Sequence, residues 1–156
     1  FDITPQDSAL IISSSGTNIV PVEMAELFQQ KKVNVVSIIT QQHSEKSESK
    51  RPDGKKLDNF SDLILDTGAP VGDSMIHITG LDTPVAPGST VGGAIIINCL
   101  KAEVARLLTE AGSPPIVLTA SSVVGKTRAT QLFESAYDDH AHRLAKLYAH
   151  VGQTKK

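Results

Sequence analysis

A short apolar run that stops at a small polar turn, then a helix, then a second apolar run restricts a fold more tightly than composition does. Ser8-Ala9-Leu10-Ile11-Ile12-Ser13 is such a run, and it gives way to the cluster Ser13-Ser14-Ser15-Gly16-Thr17-Asn18. A continuous apolar strand has no polar face to offer water, so this pattern predicts a buried strand of a parallel sheet feeding a loop. From about Val20 to Lys31, Val22, Ala25 and Phe28 recur at helical spacing beside Met24 and Leu27. Pro21 falls in the first turn, where a helix tolerates a missing N–H. Val33 to Thr40 is apolar and β-branched with a polar stop. Strand, loop, helix and strand make one right-handed β-α-β unit, and a parallel sheet follows.

The remaining elements follow from the same signals. Gln41 to Lys56 is polar and mixed in charge, with Pro52-Asp53-Gly54 marking a turn, and reads as a surface loop. Leu57 to Phe60 predicts a helical turn and Leu63-Ile64-Leu65-Asp66 another core strand. Met75 to Val85 alternates around Thr79-Gly80-Leu81-Asp82, which predicts a small antiparallel excursion. Ser89-Thr90 caps a long helix to about Ala111, with Val91, Ala94, Ile95, Cys99, Ala102, Ala105 and Leu108 mostly inward, and Gly112 with Pro114-Pro115 ends it. Ile116-Val117-Leu118-Thr119 reads as a further strand. A last helix from about Thr127 to Val151 carries the stripe Tyr137, Ala141, Leu144, Tyr148 and Val151, with fraying expected from Gly152 onward.

With 156 residues, one domain is the default. Fifteen basic and seventeen acidic residues leave a formal charge of −2. No global field then favours nucleic acid or an anionic membrane surface, and any anion site must be local. The single cysteine, Cys99, lies in an apolar run, which predicts a reduced core thiol and a cytoplasmic protein. Neither a spanning stretch of ~20 apolar residues nor a signal layout is visible. The chain starts at Phe1 and enters a strand pattern at once, which reads as a cut into a larger domain.

A Ser-rich, Gly-containing turn between a buried strand and a helix suits phosphate, because backbone N–H groups, hydroxyls and the helix dipole all favour an anion there. Such turns also serve as plain strand-to-helix connections, so context decides. The cluster Ser13-Ser14-Ser15-Gly16-Thr17-Asn18 resembles the phosphosugar loop of the sugar isomerase (SIS) domain family. The resemblance extends through Glu23-Met24-Ala25, Thr40, His43-Ser44, Gly54-Lys55-Lys56-Leu57, Ser61 to Asp66, Gly72-Asp73 and Ser89-Thr90, to about residue 125. It is nearest to a phosphosugar-isomerase-like branch of that family.

The resemblance implies a three-layer αβα sandwich around a five-stranded parallel sheet, a homodimer or larger homo-oligomer, a phosphorylated sugar as ligand, and neither cofactor nor metal. It further implies that Ser13, Ser15 and Asn18 bond phosphate oxygens through side chains while Ser14 and Gly16 offer backbone donors. Thr40 and Ser44 fall in the matched segments, and Ser89 and Thr90 line the same crevice. The family's first strand, its Gly-x-Gly-x-Ser loop and its leading helices have no counterpart in the chain, so the resemblance implies a fragment of a longer protein that lacks a loop which normally helps hold the sugar phosphate. The activities implied are aldose–ketose isomerisation, sugar-phosphate sensing without turnover, or cleavage of a lactyl ether on an amino-sugar phosphate.

Isomerisation through an enediol needs a base and often an acid for ring opening, and ligands of parallel sheets sit beyond the carboxyl ends of the strands. Glu23 and His43 are placed to reach such a ligand, while a helix-start carboxylate and a surface histidine are the plainer readings of the same residues. Glu103, thirteen residues beyond Thr90, would lie roughly 20 Å along its helix and could act only across an interface. Asn98 reads as a satisfied core or interface amide. Lys50, Arg51 or Lys55 could close over an anionic ligand, although the segment from Glu45 to Arg51 also reads as a solvated loop. Ala120 to Thr127 approximates a nucleotide-binding loop, but alanine replaces its opening glycine and Val123-Val124 resist the compact wrap. His140 and His142 diverge on a helix and do not make a metal pair.

Overall fold

The computed structural model describes residues 3–153, with side chains up to residue 149. The chain forms two compact units, one running to Lys101 and the other from Ala102. In the first unit lie β1 (Ser8–Ile12), α1 (Ile19–Gln30), β2 (Asn34–Ile39), α2 (Gln41–Lys46), a 3₁₀ turn (Leu57–Phe60), β3 (Leu63–Asp66), β4 (Ser74–Ile76) and β5 (Val85–Pro87). The helix α3 (Gly88–Glu110) runs across the boundary, and α4 (Ser121–Val124) and α5 (Lys126–Gln153) complete the second unit.

β1, β2 and β3 form a parallel sheet in that order, and β4 pairs antiparallel with β5. The fold is therefore α/β, with the small antiparallel excursion where the alternation predicts it. Ala9 lies opposite Val35, and Ser37 lies opposite both Ile11 and Ile64, so alternate residues share one face. Ala9, Ile11, Val35, Ile39 and Ile64 pack there with Val22, Ala25 and Phe28 of α1 and with Leu57 and Phe60 of the 3₁₀ turn. Each fully buried side chain of this size stabilises the unit by ~1.5–3 kcal/mol.

The other face departs from the sequence reading. Ile38 of the central strand is fully buried, but Leu10 and Ile12 remain 45% and 54% exposed. β1 is an edge strand of a three-stranded sheet, and being apolar on both sides does not cover both sides.

Several further expectations are corrected. The polar segment after Thr40 opens with α2 rather than a loop; Ser44 is its only buried residue, so no apolar stripe announces it. Past α2, the turn at Pro52-Asp53-Gly54 forms as predicted, closed by Gly54 N–H on the Arg51 carbonyl at 3.1 Å. In α3 the residues expected inward are mostly outward: Val91, Ile95 and Leu108 are exposed, as is Cys99, which is not a core thiol. Glycine occupies the close side instead. A Cβ on Gly88 would stand 2.9 Å from that of Ala69, and one on Gly92 would collide with the Thr67 carbonyl. Backbone proximity, invisible to a search for apolar stripes, sets how this end of α3 packs.

Ile116 to Thr119 forms no strand. Pro114-Pro115 removes two N–H donors just before it, and the described part of the second unit holds no strand to pair with. On α5, Tyr137, Ala141, Leu144 and Tyr148 are all exposed rather than packed, while the side chain of Val151 lies outside the described residues. The helix continues through Gly152 and Gln153, where fraying was expected; Thr154 to Lys156 lie outside the described residues. No helix among the described residues is long and apolar enough to cross a membrane.

Candidate functional site

The Ser-rich turn is held by backbone on three sides. Ser13 N–H donates to the Ile38 carbonyl at 3.0 Å and Thr40 N–H to the Ser14 carbonyl at 2.9 Å, extending the parallel ladder beyond the strand ends. Leu57 N–H donates to the Gly16 carbonyl at 2.8 Å, which ties the loop to the 3₁₀ turn. Gly16 has φ +65°, and a Cβ there would lie 3.3 Å from Ser44 Oγ and 3.4 Å from Leu57 Cβ. Position 16 thus needs glycine both for its left-handed backbone and for the space beneath it. Ser13 Oγ accepts Gly16 N–H at 3.2 Å, and Ser15 Oγ and Thr17 Oγ1 share a hydrogen bond of 2.9 Å.

What this leaves unpaired is more telling. Asn18 is the N-cap of α1, yet its side chain makes no capping hydrogen bond. The first helical bond is Val22 N–H to the Asn18 carbonyl at 3.3 Å. The N–H groups of Ser14, Ser15, Asn18, Ile19 and Val20 meet no acceptor among the described residues, and Pro21 has none to offer. Three of these donors, from Asn18, Ile19 and Val20, stand at the start of a twelve-residue helix and form a locally positive rim on a chain of net charge −2, and the other two belong to the turn before it. Ser44, only 2% exposed, sits against Gly16 with an Oγ that has no partner. Such buried hydroxyls are normally hydrogen-bonded.

A chain of hydroxyls crosses the ends of the three strands. Ser14 Oγ lies 3.5 Å from Thr40 Oγ1, which lies 2.6 Å from Thr67 Oγ1. Thr40 is fully buried, so this relay forms the floor behind the loop. The sequence motifs mark neither Thr67 nor the anchoring role of Leu57. Thr67 follows β3 directly, and the rule that ligands sit past the carboxyl ends of parallel strands would have marked it.

The other predicted residues are distributed as follows. Gly16 does not present its N–H outward, because Ser13 Oγ takes it. Glu23 is exposed on α1, in its second turn. His43, half-buried on α2, accepts Gly72 N–H through Nδ1 at 3.1 Å. A neutral imidazole that accepts at Nδ1 carries its proton on Nε2. His43 is therefore arranged to donate a hydrogen bond from Nε2, not to take a proton there. Ser89 is engaged elsewhere: its N–H and its hydroxyl each reach the Asp73 carboxylate at 2.6 Å, and Thr90 is exposed. Glu103 belongs to an ion pair with Arg106 at 2.6 Å, which holds its carboxyl below the ordinary range.

The basic residues between Glu45 and Lys56 sort themselves by partner. Arg51 bonds Asp53 and Glu26, each at 2.7 Å, and its guanidinium lies 5.3 Å from the Phe60 ring centre. Asp53 and then Glu26 raise the Arg51 pKa, and Arg51 in turn lowers that of Asp53. Lys55 lies 5.2 Å from the same ring centre, and Lys56 Nζ donates to the Ser44 carbonyl at 2.6 Å. Lys50 alone of this group meets the loop, with Nζ 2.7 Å from Asn18 Oδ1.

Among the described residues no three His, Cys, Asp or Glu side chains group to hold a metal ion. His140 and His142 are exposed, and Asp139 pairs with Arg143 at 2.9 Å. The nucleotide-loop-like segment forms α4 and an exposed turn at Gly125, with φ +81°, instead of a wrap around an anion.

No protein-family model matches the chain. It is similar to UPF0309 proteins. One from Halalkalibacterium halodurans is 37% identical over 123 residues, 79% of this chain and 51% of the relative. One from Listeria monocytogenes serotype 4b is 31% identical over 138 residues, 88% and 56% respectively. A third, from Geobacillus thermodenitrificans, is 32% identical over 124 residues, 80% and 50%. The chain spans about half the length of the curated relatives it matches.

Proposed function

We propose that this chain, homologous to the UPF0309 proteins over most of its length, binds the phosphate of a phosphorylated sugar at Ser13 to Asn18, and that the whole protein interconverts aldose and ketose forms of that sugar. The observation that carries the reading is the set of unpaired N–H groups of Asn18, Ile19 and Val20 at the head of α1 and of Ser14 and Ser15 in the turn before it, beside the Ser13, Ser14 and Ser15 hydroxyls. A phosphate dianion offers enough acceptors for them and is favoured by the helix dipole. The likeness to the SIS family points to the same loop.

In this reading Ser14, Ser15 and Asn18 give backbone donors, Ser13 shapes the turn, and Thr40 holds Ser14 from below. Glu23 serves as the base: it takes the proton from the carbon beside the aldehyde while the aldehyde oxygen gains a proton, giving an enediol. It then returns its proton to the former aldehyde carbon as the hydroxyl on the neighbouring carbon loses its own proton to solvent and becomes the ketone. His43 donates from Nε2–H to the oxygen on which charge develops. The protein acts as a homodimer or larger homo-oligomer, with neither metal nor cofactor.

The test is a panel of hexose, heptose and amino-sugar phosphates. A bound phosphosugar at about 100 times its Kd raises stability by ~2.7 kcal/mol, visible as a shift in Tm, and the free sugars do not. Turnover shows as aldose–ketose exchange, or as solvent deuterium entering the carbon next to the carbonyl. Glu23→Gln abolishes that exchange and keeps the Tm shift. A sensor without turnover is the second reading, favoured by the exposure of Glu23; it predicts the Tm shift with no exchange in any case. Absence of a Tm shift with every phosphosugar rejects the phosphate loop itself.

A further inference from the structure

We infer that Lys50 is the cation of this anion site and that it also sets which end of the Asn18 amide faces the ligand; the inference rests on the phosphate-binding reading above. Three observations lead to it. A chain of charge −2 has no general positive field, so a dianion must be neutralised by a nearby group. Of the basic residues in the polar segment, Arg51 and Lys56 are committed to protein acceptors, Lys55 lies over Phe60, and Lys46 is exposed in the last turn of α2 with no hydrogen bond to the loop. Lys50 remains, with Nζ at the N-cap of α1, beside the unpaired N–H groups of the helix start.

Only one hydrogen of the Lys50 ammonium points at Asn18 Oδ1, and an ammonium carries three. Two donors and the full charge are left for a ligand. The bond also has a consequence for Asn18. An N-cap asparagine ordinarily turns its oxygen onto the helix N–H groups and closes them off. Here the oxygen is held by Lys50, the helix N–H groups stay uncapped, and the amide NH₂ is the end left to meet an acceptor. Lys50 therefore keeps α1 open to an outside anion. The unpartnered Ser44 Oγ beneath Gly16 is independent of this arrangement and marks a polar group still without its partner.

Isothermal titration of the whole protein with inorganic phosphate at low salt, and with fructose 6-phosphate in parallel, tests the inference. Lys50 is exposed, so Lys50→Ala should leave the urea midpoint unchanged. It should weaken phosphate binding about three- to tenfold, the scale of one solvent-screened charge-assisted hydrogen bond, and flatten the salt dependence. Lys50→Arg should restore most of the affinity. Asn18→Asp keeps a partner for Lys50 but replaces the NH₂ donor with charge, and should weaken binding more than Lys50→Ala does. If the wild type binds phosphate and Lys50→Ala binds equally well with the same salt dependence, Lys50 has no part in the site and the inference is overturned while the loop reading stands. If the wild type binds neither of these nor any phosphosugar of the panel, both fall together.

Discussion

The first unit contains one helix start that carries serine, at α3, and another, at α1, that follows a serine-rich turn, and they are furnished in opposite ways. At α3, Ser89 N–H and Oγ are both met by the Asp73 carboxylate, and Gly88 N–H by the Asp73 carbonyl at 2.6 Å. At α1 the N-cap is a neutral amide whose oxygen is turned to Lys50, and the first N–H groups have no acceptor. The chain supplies its own anion at one helix and withholds it at the other. Serines before a helix do not make an anion site; a positive helix end left without an internal acceptor does.

The largest effect expected from this contrast comes from filling the space under the open terminus. Gly16→Val forces a β-branched residue into φ +65° and against Ser44 and Leu57. The left-handed backbone alone costs ~1–2 kcal/mol, and the crowding adds to it. Urea unfolding should show a loss of at least ~2 kcal/mol, with phosphosugar affinity lowered more than tenfold. Unchanged affinity in the folded variant would show that the loop is not where the anion sits.

Asp73→Ala probes the closed terminus and should separate stability from binding. Removing the carboxylate leaves two donors of α3 unmet and should cost ~1–2 kcal/mol, the usual scale for a lost cap, while affinity for a phosphosugar stays within about twofold. A larger fall in affinity would place Asp73 and Ser89 in the ligand site and erase the distinction between the two termini.

The smallest effect is expected at Arg51, which anchors the segment that brings Lys50 to α1. Arg51 holds the Asp53 carboxyl below its ordinary range, so the pair's contribution is present above the unfolded carboxylate value and lost as pH falls through the lower folded value. The urea midpoint of the wild type should fall between about pH 5 and pH 2, and that of Arg51→Ala should fall less over the same range. Parallel curves for the two proteins would mean that the exposed part of this network adds nothing measurable.

Structure is legible in the sequence where a residue's chemistry and its neighbours in the chain decide the outcome. The strands at Ser8, Asn34 and Leu63, helix α1 and the turn at Leu57 all follow from apolar spacing and breakers. It is not legible where partners are distant. Ile116 to Thr119 is apolar enough for a strand but has none beside it, and the apolar face expected of α3 gave way to Gly88 and Gly92 because backbone approaches there. Within the site, the loop itself was legible from Ser13 to Asn18. That Ser89 would be taken by Asp73, sixteen residues earlier, was not, because no local pattern joins them.

The order of residues by itself determined that a strand, a hydroxyl-rich turn and a helix follow one another, since each depends on side chains within a few positions. Only the tertiary structure decided which donors stay open. That outcome depends on Lys50, Leu57 and Asp73 arriving from separate loops, and hydrogen bonds are assigned by proximity in space, not by order along the chain.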